Sequence, residues 1–431
     1  MHNLYRFPTF VALLALGLAG CRDHCQQKVT YRTQRQFFIT SAELRAGVKS
    51  GPAQELENPG KIYVRGNYLF INERKTGIHF IDNANPSNPR IVSFLSIPGN
   101  TDIAVRGNVL YADSYTDLLA FDISNPAEAT LLKRVEGAFP SGSVDGLHWQ
   151  YDQFRQMVVD TRWEWVTEVR DTDCESSNGG GGWWGPWLRS TDVAFNASGA
   201  QSASAPNPNG GTGTGGSMAR FALHDRFLYA VTNSDMKLFD VSQPAEPKAS
   251  ATVNLGWGIE TIFPYKNNLF IGSTTGMHIY DNTNPAKPER LSTFQHARRC
   301  DPVVVQDDYA YVTLQAGTFC GGVESQLDVL DLTNLRAPKL LRTYPMTKPY
   351  GLGIDRQTLF VCDEGLKTFN ATNPMALNLL NHFKHLNAYD VIPLKGTLLL
   401  IGSDGLYQYD YTSDPRAPRL ISAIPVKRTA S

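Results

Sequence analysis

A motif of about forty residues recurs along this chain of 431 residues and limits what the chain can fold into. Each copy ends in an apolar run, an Asp or Asn, and a turn that usually contains Asn-Pro, as in segments 78–86 and 278–285. Self-similarity at such a spacing is typical of architectures in which each copy is one structural unit. The anchor residues that mark the copies are Asp82, Asp122, Asp240, Asp281, Asp331, Asn370 and Asp410.

Each copy divides into four short strands. The strands predicted for the second copy are 102–106, 109–112, 117–123 and 130–135. Gly107-Asn108 suits the tight hairpin between the first two strands. Seven such copies predict an all-β fold, a β-propeller of seven four-stranded antiparallel blades. The long step of 118 residues between Asp122 and Asp240 leaves an eighth blade open.

The repeat resembles the LVIVD repeat of bacterial, often lipid-anchored, propeller proteins. The shared pattern is a hairpin turn, an apolar strand, Gly-hydrophobic-x-hydrophobic-hydrophobic-Asp and a Ser/Thr-Asn-Pro-x-x-Pro turn. The resemblance covers residues 59–140 and 216–427. Copy six departs from it at Asn370, and copy five has Leu335 where Pro is usual. The resemblance implies the propeller fold and says less about activity.

The N-terminus has the features of an export signal. The apolar run 7–18 is too short to span a bilayer but suits a signal peptide. Leu-Ala-Gly-Cys at 18–21 then resembles the bacterial lipobox, which implies cleavage and lipid attachment at Cys21. The alternative is an ordinary signal peptide with an incidental cysteine. Arg22 after the cysteine favours sorting to the outer membrane, so the membrane is a predicted partner through the N-terminal lipid.

The predicted domain organisation has one large domain. Its parts are a lipoprotein signal peptide 1–20, a tether and N-terminal lead 21–58, the propeller 59–427 with an insertion at about 141–217, and a tail 428–431. Residues 29–40 are expected to form a strand that latches the ring onto the last blade. Residues 199–217, rich in Gly, Ser and Pro, are expected to be a flexible linker.

Charge and cysteine content narrow the function. Lys+Arg of 40 against Asp+Glu of 41 gives a net charge of -1, which supplies no broad electrostatic attraction to nucleic acid or to an acidic membrane surface and disfavours a polyanion as a partner. No hydrolase elbow, phosphate-binding loop, dinucleotide fingerprint or metal-ligand spacing occurs in the sequence, so no cofactor, metal site or catalytic residue is predicted. One disulfide is suggested, between Cys300 and Cys320, because both fall on the same face of one blade.

The residues that differ between copies supply two candidate sites. Aligned copies place four carboxylates near the start of innermost strands, where they would form an acidic ligand-binding rim: Asp102, Glu260, Asp301 and Asp390. Asp is also common in turns, and basic residues fall on the same face. His79 and His278 occupy a variable position and are expected on an exposed strand face.

The second candidate is an aromatic contact patch in the insertion. It comprises Trp163, Trp165, Trp183, Trp184 and Trp187. Residues 156–170 alternate as a strand or hairpin, with Trp163 and Trp165 on one side. Clustered Trp suits recognition of proteins or sugars. The alternative is that these rings pack the insertion against the propeller.

Together these features predict a lipid-anchored, exported β-propeller that acts as a non-catalytic scaffold for a protein or glycan at the bacterial envelope. The alternative is an extracytoplasmic enzyme, or a metal-dependent binder of a small molecule or sugar, that uses the acidic rim. Propellers host both kinds of protein, so the absence of a catalytic motif favours the scaffold without excluding an enzyme.

Overall fold

The computed structural model describes residues 24–144, 147–173, 202–203, 213–217, 219–296, 302–316 and 324–427. These residues form eight sheets and one short helix, α1 (Ser41–Ala46). The chain divides into two compact units. We call residues 1–36 with 161–196 the ribbon unit, and residues 37–160 with 197–431 the propeller unit.

Seven sheets of the propeller unit each contain four consecutive antiparallel strands, which we call blades. Blade 1 consists of β3 (Pro59–Arg65), β4 (Tyr68–Glu73), β5 (Gly77–Asp82) and β6 (Arg90–Ser96). Blade 2 consists of β7 (Ile103–Arg106), β8 (Val109–Ser114), β9 (Asp117–Asp122) and β10 (Thr130–Val135). Blade 3 consists of β16 (Phe221–His224), β17 (Phe227–Val231), β18 (Asp235–Asp240) and β19 (Lys248–Asn254). Blade 4 consists of β20 (Ile259–Tyr265), β21 (Asn268–Ser273), β22 (Gly276–Asp281) and β23 (Glu289–Gln295).

The remaining three blades complete the set. Blade 5 consists of β24 (Val303–Gln306), β25 (Tyr309–Leu314), β26 (Ser325–Asp331) and β27 (Lys339–Met346). Blade 6 consists of β28 (Pro349–Asp355), β29 (Thr358–Asp363), β30 (Leu366–Asn370) and β31 (Asn378–Phe383). Blade 7 consists of β32 (Ala388–Leu394), β33 (Thr397–Gly402), β34 (Gly405–Asp410) and β35 (Arg419–Pro425).

The first strands of the blades line the centre of a closed ring. Strand β3 contacts β7, and contacts continue in order through β16, β20, β24, β28 and β32. Blade 7 returns to blade 1 through β33 and β3. The ring is a seven-bladed β-propeller, which confirms the predicted fold. Because β7 of blade 2 contacts β16 of blade 3 directly, the eighth sheet is not a blade of the ring.

All seven anchor residues end the third strand of a blade, as the repeat predicts. Each side-chain oxygen accepts a hydrogen bond from the backbone N–H two residues later, at 2.8 to 3.0 Å. Asp281, for example, accepts from Thr283 N at 2.8 Å. This Asx turn redirects the chain into the fourth strand. The repeated carboxylate is therefore a structural residue.

The eighth sheet comes from the insertion and the N-terminal lead. Its strands lie in the order β1 (His24–Thr40), β13 (Met157–Asp173), β12 (Leu147–Asp152) and β11 (Ser141–Val144). The prediction that residues 29–40 pair with the last blade is therefore wrong. Strand β13 offers a partner of equal length, whereas blade 7 already has its own fourth strand.

The ring closes without a blade that combines strands from the two ends of the chain. Leu56 and Val426 form an isolated parallel bridge between the lead and the C-terminal end. Asn83 and Gln408 exchange two side-chain hydrogen bonds, at 2.7 and 3.0 Å, between blades 1 and 7. A strand in the lead, β2 (Lys49–Pro52), extends the outer edge of blade 1 by pairing with β6.

The core lies between the blades, where both faces of each sheet are covered by neighbours. Phe70 and Phe80 of blade 1 are both almost fully buried, and their rings pack edge to face with centroids 5.1 Å apart. Side chains of three consecutive blades form a single cluster with them. Because each blade buries both of its faces, the second and third strands are apolar along nearly their whole length.

Part of the predicted linker is ordered. Residues 213–217 include β15 (Thr214–Ser217), which pairs antiparallel with β3 at the inner edge of blade 1, next to β14 (Ser202–Ala203). A Cβ on Gly213 would lie 2.2 Å from the Tyr63 ring, so only glycine fits there. For residues 213–217 the prediction of a flexible linker is wrong, because their glycines serve close packing.

Candidate functional site

One face of the propeller collects two kinds of loop. The amide of Gly258 donates to Asn233 O at 2.9 Å, and Thr274 N donates to Gly258 O at 2.8 Å. The blade-joining loop 255–258 therefore lies between the second-to-third loops of blades 3 and 4. We call the face on which these two kinds of loop lie the loop face.

The base of the insertion covers part of the loop face. Asp160 of β13 is fully buried and accepts hydrogen bonds from Lys75 Nζ at 2.8 Å and Tyr115 OH at 2.7 Å. Lys75 and Tyr115 lie in the second-to-third loops of blades 1 and 2. The Trp149 ring packs edge to face on Tyr115 at 5.3 Å. Residues 141–160 are thus docked on the propeller by a buried carboxylate and an aromatic pair.

The central channel is occupied by residues 213–217, which we call the channel plug. Besides its pairing with β3, the plug donates from Gly213 N to Val105 O of blade 2 at 2.9 Å. Ser217 Oγ accepts from Leu352 N of blade 6 at 2.7 Å. The plug also contacts β32 of blade 7. It therefore links four of the seven inner strands.

Asp102, the first residue of the predicted acidic rim, is buried in an ion pair beside the plug. Its Oδ2 lies 2.6 Å from Lys61 Nζ, and both side chains are at most 10% exposed. The same carboxylate accepts from Phe221 N at 3.1 Å and from Arg220 N. Burial lowers the pKa of Lys61, and the carboxylate of Asp102 opposes that shift.

Asp390 is fully buried on the opposite side of the plug. Its Oδ1 accepts from Ser217 N at 3.3 Å, while its Oδ2 has no hydrogen-bond partner. Burial raises the pKa of Asp390 well above its usual range, although the charge of Lys61 acts in the other direction. A carboxyl group in this environment favours its neutral, protonated form.

The rim is thus not a ring of exposed carboxylates. Glu260 is only partly exposed, and the charge of Arg220 interacts with it as well as with Asp102. Asp301 lies outside the described residues. A ligand-binding role for the four carboxylates stays a prediction. Lys61 forms an ion pair with Asp102, and the charge of Arg220 interacts with that of Glu260.

An exposed tryptophan on the loop face was missed by the sequence reasoning. Trp257 is 70% exposed in the loop joining blades 3 and 4. Its neighbours Gly256 and Gly258 have φ of 95° and 84°, which only glycine adopts readily. The available signal was the Gly-Trp-Gly sequence around the one tryptophan that lies outside the insertion.

In the ribbon unit, residues 24–36 and 161–173 pair as two long strands. Trp163 and Trp165 share one face, as their alternation predicts, because the Arg32 guanidinium lies over both rings at 5.3 and 5.8 Å. Trp165 is 68% exposed. Period-two alternation gives the residues of this tryptophan face: Lys28, Thr30, Arg32, Gln34, Trp163, Trp165, Thr167 and Val169.

The other face of the ribbon is bound together by polar pairs. Tyr31 OH donates to Glu168 at 2.5 Å, and Arg170 lies 2.8 Å from the same carboxylate. Arg35 pairs with Glu164 at 3.1 Å. The ribbon therefore has one face of mutually paired charges and one face of exposed aromatic and basic side chains. Trp183, Trp184 and Trp187 of the predicted patch lie outside the described residues.

The cysteine predictions also fall outside the described residues. This applies to the lipidation site Cys21 and to both partners of the suggested disulfide, Cys300 and Cys320. Cys362 is a free, buried thiol in blade 6, and burial raises its pKa well above the usual range. Such a thiol is a poor nucleophile and serves as a packing residue.

The prediction that His79 and His278 lie on an exposed face is wrong. His79 is 1% exposed with Nε2 2.9 Å from Glu73 Oε2, and His278 contacts Thr293 Oγ1 at 3.0 Å. Burial lowers the pKa of His278 to about 4. Variable residues occur here because each blade packs against a different neighbour. The residues described contain no group of three His, Cys, Asp or Glu side chains able to hold a metal ion.

The closed ring defines the chain as a seven-bladed β-propeller with an inserted sheet. The LVIVD repeat matches residues 59–94 and 99–136, which correspond to blades 1 and 2. The chain therefore carries two tandem LVIVD repeats, which confirms the predicted resemblance. In the described part of the chain, no helix is long and apolar enough to cross a bilayer.

Two solved structures are similar to this chain in fold. The crystal structure of the computationally designed Ika8 protein is 8% identical, with a TM-score of 0.50 over 87% of this chain and 90% of that one. A functionally unknown protein from Desulfotomaculum acetoxidans DSM 771 is 11% identical, with a TM-score of 0.50 over 83% and 95%. At these identities the similarity concerns the fold alone. No curated protein matches the chain.

Proposed function

We propose that this protein is an exported, lipid-anchored scaffold of the bacterial envelope that binds a protein or glycan without catalysis. The observation that carries the proposal is a contrast on the propeller. The channel, where propeller enzymes act, is filled by the plug, whereas Trp257 is held out to solvent on the loop face. Binding through the loop face is the function this arrangement supports best.

The chemistry around the channel argues against a substrate site. The carboxylate of Asp102 accepts hydrogen bonds from Lys61 and from backbone amides, so it is not available to a ligand. Asp390 is buried behind Ser217. A catalytic carboxylate must reach a substrate within hydrogen-bond distance. Asp102 lines a small pocket beside the plug together with Lys61, but its oxygens are already bonded within the protein.

Trp257 has the properties of a contact residue. Trp is enriched among residues that dominate binding energies, and Trp257 is 70% exposed. Two glycines with positive φ fix its loop, and three backbone hydrogen bonds anchor that loop to the neighbouring blades. The ring is thus presented from a rigid support, which lowers the entropy lost on binding.

Capture of bound partners tests the role of Trp257. The native protein is purified from its own membranes and its partners are identified by mass spectrometry. Trp257→Ser is expected to reduce recovery of the partner about tenfold or more, because hot-spot truncations typically cost at least 2 kcal/mol. Phe154→Ser is the matched control, since Phe154 is a fully exposed aromatic, at 101%, in the turn between β12 and β13 and not in a loop that joins blades.

The result that would contradict the scaffold proposal is equally concrete. No reproducible partner, together with a rise in melting temperature on adding a divalent metal ion, would favour the metal-dependent alternative. Equal recovery from the wild-type protein and the Trp257→Ser variant would remove the loop face from the proposal.

Lipid attachment at Cys21 is tested separately. In the parent bacterium, metabolic labelling with an alkyne-bearing palmitate analogue is expected to mark the wild-type protein and not the Cys21→Ser variant. The variant is expected to leave the membrane fraction, because a diacylated terminus supplies stable anchoring that one surface contact does not. Cys362→Ser is the control and keeps the label, since that thiol is buried. Labelling of the Cys21→Ser variant would contradict the assignment.

A further inference from the structure

The tryptophan face of the ribbon unit combines three properties. Most of it is exposed, with Trp165 68% exposed and Lys28, Thr30 and Gln34 open to solvent, while Trp163 is half-buried. It carries two basic side chains, Lys28 and Arg32. None of the eight residues that define this face is acidic, and the same alternation places Asp171 directly beyond Val169.

The position of the ribbon in the chain limits what this face can meet. Strand β1 begins at His24, three residues after Cys21. An extended chain advances about 3.3 Å per residue, so a lipid on Cys21 would lie within about 10 Å of the end of the ribbon. A surface held this close to a membrane meets lipid headgroups first.

From this placement we infer that the tryptophan face is a membrane contact that binds the surface of an anionic phospholipid bilayer. The inference rests on the proposed lipidation of Cys21 for its location. It goes beyond the proposed function in assigning the ribbon to the membrane and leaving the loop face to the partner.

The side-chain chemistry fits a bilayer surface. Trp rings favour the membrane–water interface, where the ring is in contact with acyl chains and the N–H with water. Lys and Arg side chains are attracted to anionic headgroups, by about 1 kcal/mol per residue near the surface. Arg32 lies over both Trp163 and Trp165, so the cation and the rings are presented together.

The two faces of the ribbon provide an internal comparison. On the opposite face, the carboxylates of Glu164 and Glu168 already pair with Arg35 and Arg170. That face is also less exposed, with Tyr31 half-buried. The tryptophan face thus combines exposed apolar area with basic side chains, whereas the charges named on the opposite face pair with one another.

The test uses the mature chain from residue 21 with Cys21→Ser, so that no lipid obscures the contact. Co-flotation is measured with vesicles of equal parts phosphatidylethanolamine and phosphatidylglycerol, and with vesicles of phosphatidylcholine. Binding to the anionic vesicles is expected and should weaken in high salt. Replacing Trp163 and Trp165 with Ser is expected to reduce the bound fraction about tenfold or more. Trp257→Ser, which removes an equally exposed Trp from the propeller, is expected to leave it unchanged.

A second variant guards against misfolding of the first. Arg32→Glu keeps both rings and is expected to reduce binding to anionic vesicles about tenfold or more, with little effect on phosphatidylcholine. The inference is overturned if the wild-type mature chain does not float with anionic vesicles, or if these ribbon variants float as well as the wild type. It is also overturned if the ribbon variants lose the captured protein or glycan but keep vesicle binding. Loss of capture in Trp257→Ser alone bears on the proposed function and leaves the membrane contact standing.

Discussion

Replacing Asp102 with Ala is expected to lower the free energy of unfolding by about 3–5 kcal/mol, the usual cost of removing one partner of a buried ion pair. The substitution leaves the ammonium group of Lys61 buried beside the plug without its carboxylate. It also leaves the amides of Arg220 and Phe221 without their acceptor. Equilibrium unfolding in urea, followed by tryptophan fluorescence, measures the loss.

Glu128→Ala is the control for removal of a carboxylate. Glu128 is exposed on the turn before the fourth strand of blade 2, so its loss is expected to change stability by less than about 0.5 kcal/mol. The double variant Asp102→Ala with Lys61→Met is expected to recover part of the loss, because the uncompensated charge is then gone. An Asp102→Ala variant as stable as Glu128→Ala would show that the pair does not hold the plug region together.

The second large effect concerns Asp390, whose replacement by Asn is expected to stabilise the protein at neutral and alkaline pH by about 1–3 kcal/mol. The acid has one oxygen without a hydrogen-bond partner, and burial raises its pKa in the folded state. The folded protein therefore holds this proton more strongly than the unfolded chain, whose pKa is about 3.9. Its contribution to stability is complete below about pH 4 and is lost as the pH rises through the folded pKa.

Urea unfolding at about pH 5 and about pH 8 tests this sign. The difference in stability between Asp390→Asn and the wild type is expected to grow with pH, because Asn cannot ionise and its oxygen still accepts from Ser217 N. Glu128→Gln, at an exposed carboxylate, is expected to show no such trend. A difference that stays constant between the two pH values would mean that Asp390 is ionised in the folded protein as it is in the unfolded chain, and that its pKa is not raised.

The strands and turns of the propeller followed from local sequence. The four strands predicted for blade 2 match those observed to within two residues at each end. Each anchor, such as Asp122, fixes a turn through a hydrogen bond that spans only two residues. Strands and turns are determined by residues close together in the sequence, so they recur with each copy of the motif. One sequence therefore contains seven examples of the same local structure.

The candidate surfaces were predicted less completely. Alternation placed Trp163 and Trp165 on one face of a strand correctly, since period two is a local property. Trp257 was overlooked because it belongs to no cluster, and its exposure depends on backbone angles at its two glycines. Alignment of the repeats placed Asp102 and Asp390 near the inner strands. Such an alignment gives the position of a residue in its blade and not the solvent exposure of its side chain.

The sequence by itself determined the propeller class, the strand order within each blade and the turn chemistry, because these depend on contacts within about forty residues. That the ring has seven blades and not eight was decided by the contact of β7 with β16. Only the tertiary structure decided which strand β1 joins, what fills the channel, and that His79, Asp102 and Asp390 are buried. Those outcomes depend on contacts between residues more than a hundred positions apart, such as Lys61 with the plug and Ser217 with Asp390. No repeated pattern encodes such pairings, since each occurs once and is fixed by how the closed ring packs.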